Sequence, residues 1–165
     1  MELRGERVVL RPMTEADRPA LEAIVADPAI AEYWGPDTVE LEAPGGDEPV
    51  HQWVVLVDDV VAGYVQAYEE LDAQYTYAGM DIFLAPPFHG RGLGPEVLRT
   101  VARWLIDVRG HHRLVIDPRA DNVRAIAAYE RIGFRPVGIL RRYDRGRDGI
   151  LRDGLLLDLL AEELR

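Results

Sequence analysis

Apolar residues along this chain follow two rhythms. At 52–57 and 60–68 they crowd into runs rich in Val, Trp and Tyr, separated by Asp58-Asp59. That pattern predicts two strands joined by a tight turn. Residues 79–84, Gly-Met-Asp-Ile-Phe-Leu, predict another strand, as do 7–11 and 113–117. Elsewhere the spacing lengthens. Val97, Leu98, Val101, Leu105 and Val108 recur at helical spacing over 95–109, with Pro95 suited to the first helical position and Gly110 to the stop. Thr14-Glu15-Ala16-Asp17 has the form of a capping box with Asp in place of Glu, opening a helix toward Val25, and 27–35 predicts a shorter one. The acidic segment 37–49, with Pro44-Gly45-Gly46, predicts a mobile loop. Asn122 suits the cap of a helix ending at Gly133, and 134–143 and 150–160 predict a closing strand pair around a turn. The order is strand, two helices, three strands, helix, strand, helix, two strands, which describes a mixed α/β layer fold.

At 165 residues the chain is expected to form a single domain, 1–165, with a sizeable core. Its apolar runs are far shorter than a membrane span and its first residues carry no secretory apolar stretch, so a cytoplasmic location is expected. Absences narrow the chemistry further. The chain has no Cys, no Ser and no Lys, and all nineteen basic residues are Arg. Thiol and serine nucleophiles, Cys-based zinc sites, Schiff-base lysines and the phosphate-binding Lys of a P-loop are excluded. His51, His89, His111 and His112 show no metal-ligand spacing, and no metal is expected. The chemistry is left to carboxylates, Tyr, backbone amides and a bound cofactor.

Charge is unevenly distributed. From residue 19 to residue 90 there is no basic residue, and fourteen acidic ones fall in that interval. From Arg91 onward there are fifteen Arg and eleven acidic residues. One reading is a solvated acidic surface that aids solubility. The other is two ligands of opposite sign, a cation for the first half and an anion for the second. A net charge of -10 with no basic stripe makes nucleic acid a poor partner.

The stretch 88–98, Phe-His-Gly-Arg-Gly-Leu-Gly-Pro-Glu-Val-Leu, lies between a predicted strand and a predicted helix. A helix N-terminus concentrates unpaired N–H donors and the positive end of the helix dipole. Gly90, Gly92 and Gly94 would let a pyrophosphate approach there, and Arg91 adds charge. The alternative is a glycine turn that only reverses the chain. The stretch is neither a dinucleotide-binding fingerprint nor a P-loop. A second motif is 121–134, Asp-Asn-Val-Arg-Ala-Ile-Ala-Ala-Tyr-Glu-Arg-Ile-Gly-Phe. On a helix, Asn122, Ala125 or Ile126, and Tyr129 share a face. Tyr129 then either meets a ligand or sits half-buried in the core.

Together, the strand, the glycine loop opening a helix, the next strand and Asn-x-x-Ala-x-x-x-Tyr-x-x-x-Gly-Phe resemble the GNAT acetyltransferases, over about residue 60 to the C-terminus. Gly92 and Gly94 match that family's loop, whereas His89 stands where it usually has Gln or Arg. Within the superfamily the chain looks most like the aminoglycoside 6'-N-acetyltransferases. The matching segments are Ala31-Glu32-Tyr33-Trp34-Gly35, the strand 63–68, Gly79-Met80-Asp81-Ile82-Phe83-Leu84, Asp117-Pro118 and 122–126.

The resemblance implies an α/β (α+β) GNAT fold, with a mixed, mostly antiparallel sheet of roughly six to seven strands flanked by about four helices. It implies acetyl-CoA as co-substrate, a polycationic amino sugar as acceptor, and a monomer or homodimer with no nucleic acid or membrane partner. Cofactor contacts are expected from Ile82, Phe83, Leu84, His89, Gly90, Arg91, Gly92, Leu93, Gly94, Asn122, Ala125 and Tyr129. Most weight falls on the amides of 91–94, and little on the His89 side chain. Tyr33, Trp34, Gln66, Tyr68, Glu69, Asp81 and Asp117 are the expected acceptor contacts. Asp81 is the candidate proton acceptor, Tyr129 the candidate acid, and an amide near Phe83 or Leu84 the candidate oxyanion donor. Two rivals remain: a related acyltransferase acting on lysine, hydroxylysine or a peptide amine, and a CoA-binding module without turnover.

Overall fold

The computed structural model describes residues 1–34 and 50–165. The predicted acidic loop at 37–49, together with Gly35 and Pro36, lies outside the described residues. Among the described residues eight strands form one sheet in the order β1-β2-β3-β4-β5-β6-β8-β7. They are β1 (Leu3–Arg4), β2 (Val9–Pro12), β3 (Val50–Val57), β4 (Val60–Glu70), β5 (Tyr77–Leu84), β6 (Arg113–Ile116), β7 (Arg135–Arg145) and β8 (Leu151–Leu160). The sheet is larger than the resemblance implied. The predicted first strand is in fact a pair, β1 and β2, folded back at Gly5, whose N–H bonds the Val8 carbonyl.

The β3–β4 hairpin turns through Asp58 and Asp59 at φ 49° and 62°, left-handed conformations that match the twist of paired strands. Among the described residues four α-helices flank the sheet: α1 (Arg18–Val25), α2 (Pro28–Ala31), α3 (Leu93–Arg103) and α4 (Val123–Ile132). Asp17 accepts from the N–H of Thr14 at 2.9 Å, the capping-box bond read from the sequence. α3 starts two residues before the predicted Pro95 and continues through a π-helical turn, Trp104–Val108, to Gly110 at φ +81°. Asn122 caps α4 and Gly133 closes it at φ +118°. No helix among the described residues is long and apolar enough to cross a membrane.

Strand alternation sorts the core into two layers. On one face, Val65, Ala67, Met80 and Leu114 pack against α3 and α4. On the other, Val54, Tyr64 and Phe83 pack against Leu21, Val25 and Ile30 of α1 and α2.

Every neighbouring pair of strands is antiparallel except β5 and β6, which are parallel and pair only at Ala78–Leu114 and Gly79–Val115. Beyond Gly79, β5 stays paired with β4 as far as Leu84 but leaves β6 behind. The sheet opens there, and the unpaired edge of β5 lines the opening.

Alternation also corrects one expectation. Glu69 does not share a face with Gln66 and Tyr68. It lies on the α3 face, 1 % exposed, with Nε2 of His51 and Nε2 of His111 each 2.7 Å from its carboxylate. Arg109 closes the cluster with Nε at 3.1 Å and Nη2 at 3.0 Å. Glu69 therefore ties β3, β4 and the end of α3 together and does not face an acceptor. Burial alone would raise its pKa, but the bonds from Arg109, His111 and His51 prevail and bring it to about 2. A depressed carboxyl contributes stability above its unfolded pKa of 4.5 and loses it as pH falls toward about 2. At about 1.4 kcal/mol per unit, some ~3 kcal/mol is at stake. Glu69→Ala should cost about 3 kcal/mol in urea unfolding at neutral pH, because it removes the acceptor shared by His51, Arg109 and the buried His111. The cost should shrink as pH drops below the unfolded value.

Candidate active site

The glycine loop leads from β5 into α3, as the sequence predicts. Gly90 and Gly92 sit at φ +70° and +76°, conformations that favour glycine. A Cβ at Gly90 would meet nothing within 4 Å, and one at Gly92 only Arg7 Nη2 at 3.5 Å. Internal packing therefore does not fill the space in front of the loop. Gly92 is the N-cap of α3, so the first-turn amides of an eleven-residue helix face that space. Arg7 holds the loop from outside, donating from Nη1 to the Arg91 carbonyl at 2.9 Å and from Nε to Glu96 at 2.8 Å. Nothing in the sequence signals this clasp, since Arg7 lies more than 80 residues from its partners.

A cavity of about 340 Å³ runs from this loop along the edge of β5 to α4. Its walls include Ile82, Phe83, Leu84, Gly94, Ala125 and Tyr129. The ladder alternates, and the Ala85 N–H bonds the Ala62 carbonyl on β4. The amides of Phe83 and Asp81 therefore also point to β4, while those of Ile82 and Leu84 point into the opening. Of the two expected oxyanion donors, Phe83 and Leu84, only Leu84 faces the opening, and Ile82 joins it. Asn122 uses its Oδ1 as a helix cap, accepting from Ala125 N–H at 3.2 Å, which leaves its amide NH₂ for a ligand. Tyr129 is 5 % exposed, and burial, followed by the charges of Asp81 and Asp117, raises its pKa. It keeps its proton at neutral pH.

Across the opening, on the α1–α2 face, lies a polar chain. Tyr64 donates to Gln66 Oε1 at 2.9 Å, and Gln66 Nε2 donates to Asp81 Oδ2 at 2.9 Å. The Tyr68 ring lies across Gly79, where a Cβ would come within 2.0 Å of it. Burial raises the pKa of Asp81, Gln66 opposes the shift, and the charge of Asp117 adds to it. Asp117 closes the end of β6 and accepts the Tyr143 hydroxyl at 2.5 Å. That bond, then burial, lifts Tyr143 to about 12.

Tyr143 was not a sequence candidate. A register shift in β7 between Leu140 and Asp144, with Arg142 at φ 52°, turns its ring over Gly154. A Cβ at Gly154 would meet that ring at 2.9 Å. A glycine inside an apolar strand was the available signal of close approach.

Tyr33 and Trp34 flank the site but are partly engaged. Trp34 packs edge-on against Phe83, with ring centroids 4.8 Å apart, and lines the cavity. The Arg119 guanidinium lies 4.7 Å from the Tyr33 ring centroid and covers one face of it. Arg119, itself buried, also bonds the Glu32 carbonyl and Asp121, both at 2.6 Å, which fixes the end of α2 beside β6. Among the described residues no group of three or more His, Asp or Glu could hold a metal.

A strand that leaves its parallel neighbour, a glycine loop on a helix N-terminus and a buried Tyr across the gap define an acyl-CoA site in form. Residues 13–142, more than half of the chain, match the family model for the acetyltransferase (GNAT) domain, and the chain belongs to that family. It is similar to the aminoglycoside N(6')-acetyltransferase type 1 of Klebsiella pneumoniae, 28% identical over 160 residues, covering 85% of this chain and 80% of that protein. It is also similar to the N-alpha-acetyltransferase RimI of Mycobacterium tuberculosis, 35% identical over 71 residues, 43% of this chain and 42% of that one. Among solved structures, AAC(6')-Ib in complex with ribostamycin and coenzyme A superposes with a TM-score of 0.75 at 25% identity, covering 96% of each chain. The protein is an acetyltransferase, and acetyl-CoA is its co-substrate.

Proposed function

We propose that this acetyltransferase transfers acetyl to a primary amine of a polycationic amino sugar, the 6'-amine of an aminoglycoside. The observation that carries the reading is the pair Asp81 and Asp117, two interacting carboxylates among Tyr68, Gln66 and Tyr143 on the acceptor side of the opening. Two carboxylates in one cleft favour a dication over a single ammonium. The Arg-free interval from 19 to 90 adds to that field. The aminoglycoside-acetylating relative, matched over most of both chains, supports it.

In this mechanism acetyl-CoA supplies an activated acetyl thioester. Asp81, oriented by Gln66, binds the acceptor ammonium and takes its proton, directly or through water. Asp117, held by Tyr143, binds a second ammonium. The amide of Leu84 or Ile82 donates to the carbonyl oxygen as charge gathers on it. Tyr129 gives its proton to the departing sulfur. With no Cys or Ser in the chain, the amine attacks directly in a ternary complex.

A product test separates this reading from generic amine acetylation. With tobramycin as acceptor, tandem mass spectrometry should locate the new acetyl on the 6'-amine, and an analogue carrying a hydroxyl there should not react. Acetylation at any other amine would contradict the assignment. The second reading, a peptide N-terminal amine, draws on the similarity to RimI over 43% of the chain.

A further inference from the structure

We propose that His89, as a neutral imidazole, is a positioning residue that holds Arg124 at the mouth of the glycine loop to receive a phosphate of CoA. Nothing in the residue pattern credits the His89 side chain with a role. In the structure it bridges two elements. Its Nε2 lies 2.6 Å from the Leu84 carbonyl oxygen at the end of β5, and its Nδ1 lies 2.8 Å from Nη1 of Arg124 on the first turn of α4.

The donor inventory fixes the tautomer. A guanidinium can only donate, so Nδ1 must present its lone pair. A carbonyl can only accept, so Nε2 must carry the proton. Both bonds exist together only in the neutral ring.

His89 and Arg124 line the same cavity as Gly90, Gly92 and Gly94. Arg124 forms no ion pair with any described residue, unlike Arg7 on Glu96 or Arg119 on Asp121. Its long side chain is exposed and, among the described residues, directed by the imidazole, beside a helix N-terminus whose own field favours an anion. The charged groups acting on His89 are few. Arg124 comes from α4 and Asp27 from the turn before α2, and their effects oppose each other. Arg91, next along the loop, lies over the Phe88 ring at 5.6 Å. Burial, helped by Arg124, lowers the pKa of His89 and keeps the bridging form dominant at neutral pH.

Protonation would break the arrangement. An imidazolium has two donors and no acceptor, and its charge repels Arg124. Arg124 is then released. CoA binding should therefore weaken on acidification, although the site gains a positive charge.

Calorimetric titration of CoA into the free enzyme tests this without any acceptor, so the result is independent of the aminoglycoside reading. The dissociation constant of the wild type should rise as pH falls from 8 toward 5, by up to roughly tenfold, the scale of one hydrogen bond to a charged group, with the full loss reached only below the lowered pKa of His89. His89→Ala and Arg124→Ala should each weaken binding by a similar factor at pH 8, lose the acid-side weakening beyond that of the 3'-phosphate's own ionisation near pH ~6, and not add when combined. His89→Gln, whose amide both donates and accepts, should recover most of the affinity and keep only the pH dependence of the 3'-phosphate itself. If 3'-dephospho-CoA abolishes the effect of Arg124→Ala, the contact is the 3'-phosphate; if the effect persists, it is the pyrophosphate. Nitrogen-15 NMR should show Nε2 protonated and Nδ1 bare at pH 8. Additive losses, unchanged affinity in His89→Ala, the opposite tautomer, or tighter binding at acid pH would each overturn the proposal.

Discussion

Asp81→Asn is expected to lower kcat/KM for amine acetylation by roughly 10²–10⁴-fold, the range for losing a positioned general base. The substitution keeps the shape of the side chain and allows a bond with Gln66, now 2.9 Å from the carboxylate. It removes only the charge and the proton-accepting power. Burial first, and the neighbouring Asp117, raise the Asp81 pKa, so the wild-type rate should fall with acid above the ordinary carboxylate range. The acid limb of the pH profile should flatten in the variant. CoA titration should be nearly unchanged, because Asp81 lies on the α1–α2 side of the sheet and the glycine loop is separate from it. An active variant with an intact acid limb would leave Asp81 as an ammonium contact without a proton-transfer role.

Tyr129→Phe should lower kcat by roughly 10²-fold or more, while the affinity for CoA stays within a few-fold. The ring remains to pack against Phe134, whose centroid is 6.1 Å away, so the fold should be little disturbed. The hydroxyl is the part removed. In the wild type, burial raises its pKa and keeps it protonated, as a donor to a departing thiolate must be. The loss should shrink with acyl donors whose leaving thiol is more acidic, since those need less protonation. An equal loss with every donor would point to a positioning role instead.

Much of the fold was legible because its signals are local. The β3–β4 hairpin announced itself through Asp58-Asp59, α3 through its apolar spacing and Gly110, and α4 through Asn122 and Gly133. The glycine loop was legible by position, between a strand and a helix. What escaped depended on direction and distance. Glu69 was misjudged although its parity with Gln66 and Tyr68 already placed it on the other face. Two histidines and an arginine from distant parts of the chain satisfy it there. Tyr143 was invisible because a β-bulge, and not the residue pattern, sets where its ring points. His89 departed from the family's usual residue, and only the structure revealed the carbonyl and guanidinium it joins.

Selection of a polycationic amino sugar rests on the paired carboxylates of Asp81 and Asp117. Thiol release from acetyl-CoA, followed with tobramycin, kanamycin, free lysine and an alanine-terminated peptide in parallel, tests it most directly. The highest kcat/KM is expected for the aminoglycosides, with a steep loss of that preference in Asp117→Asn. A higher kcat/KM for the peptide or for lysine, or no thiol release with any of the four, would contradict it.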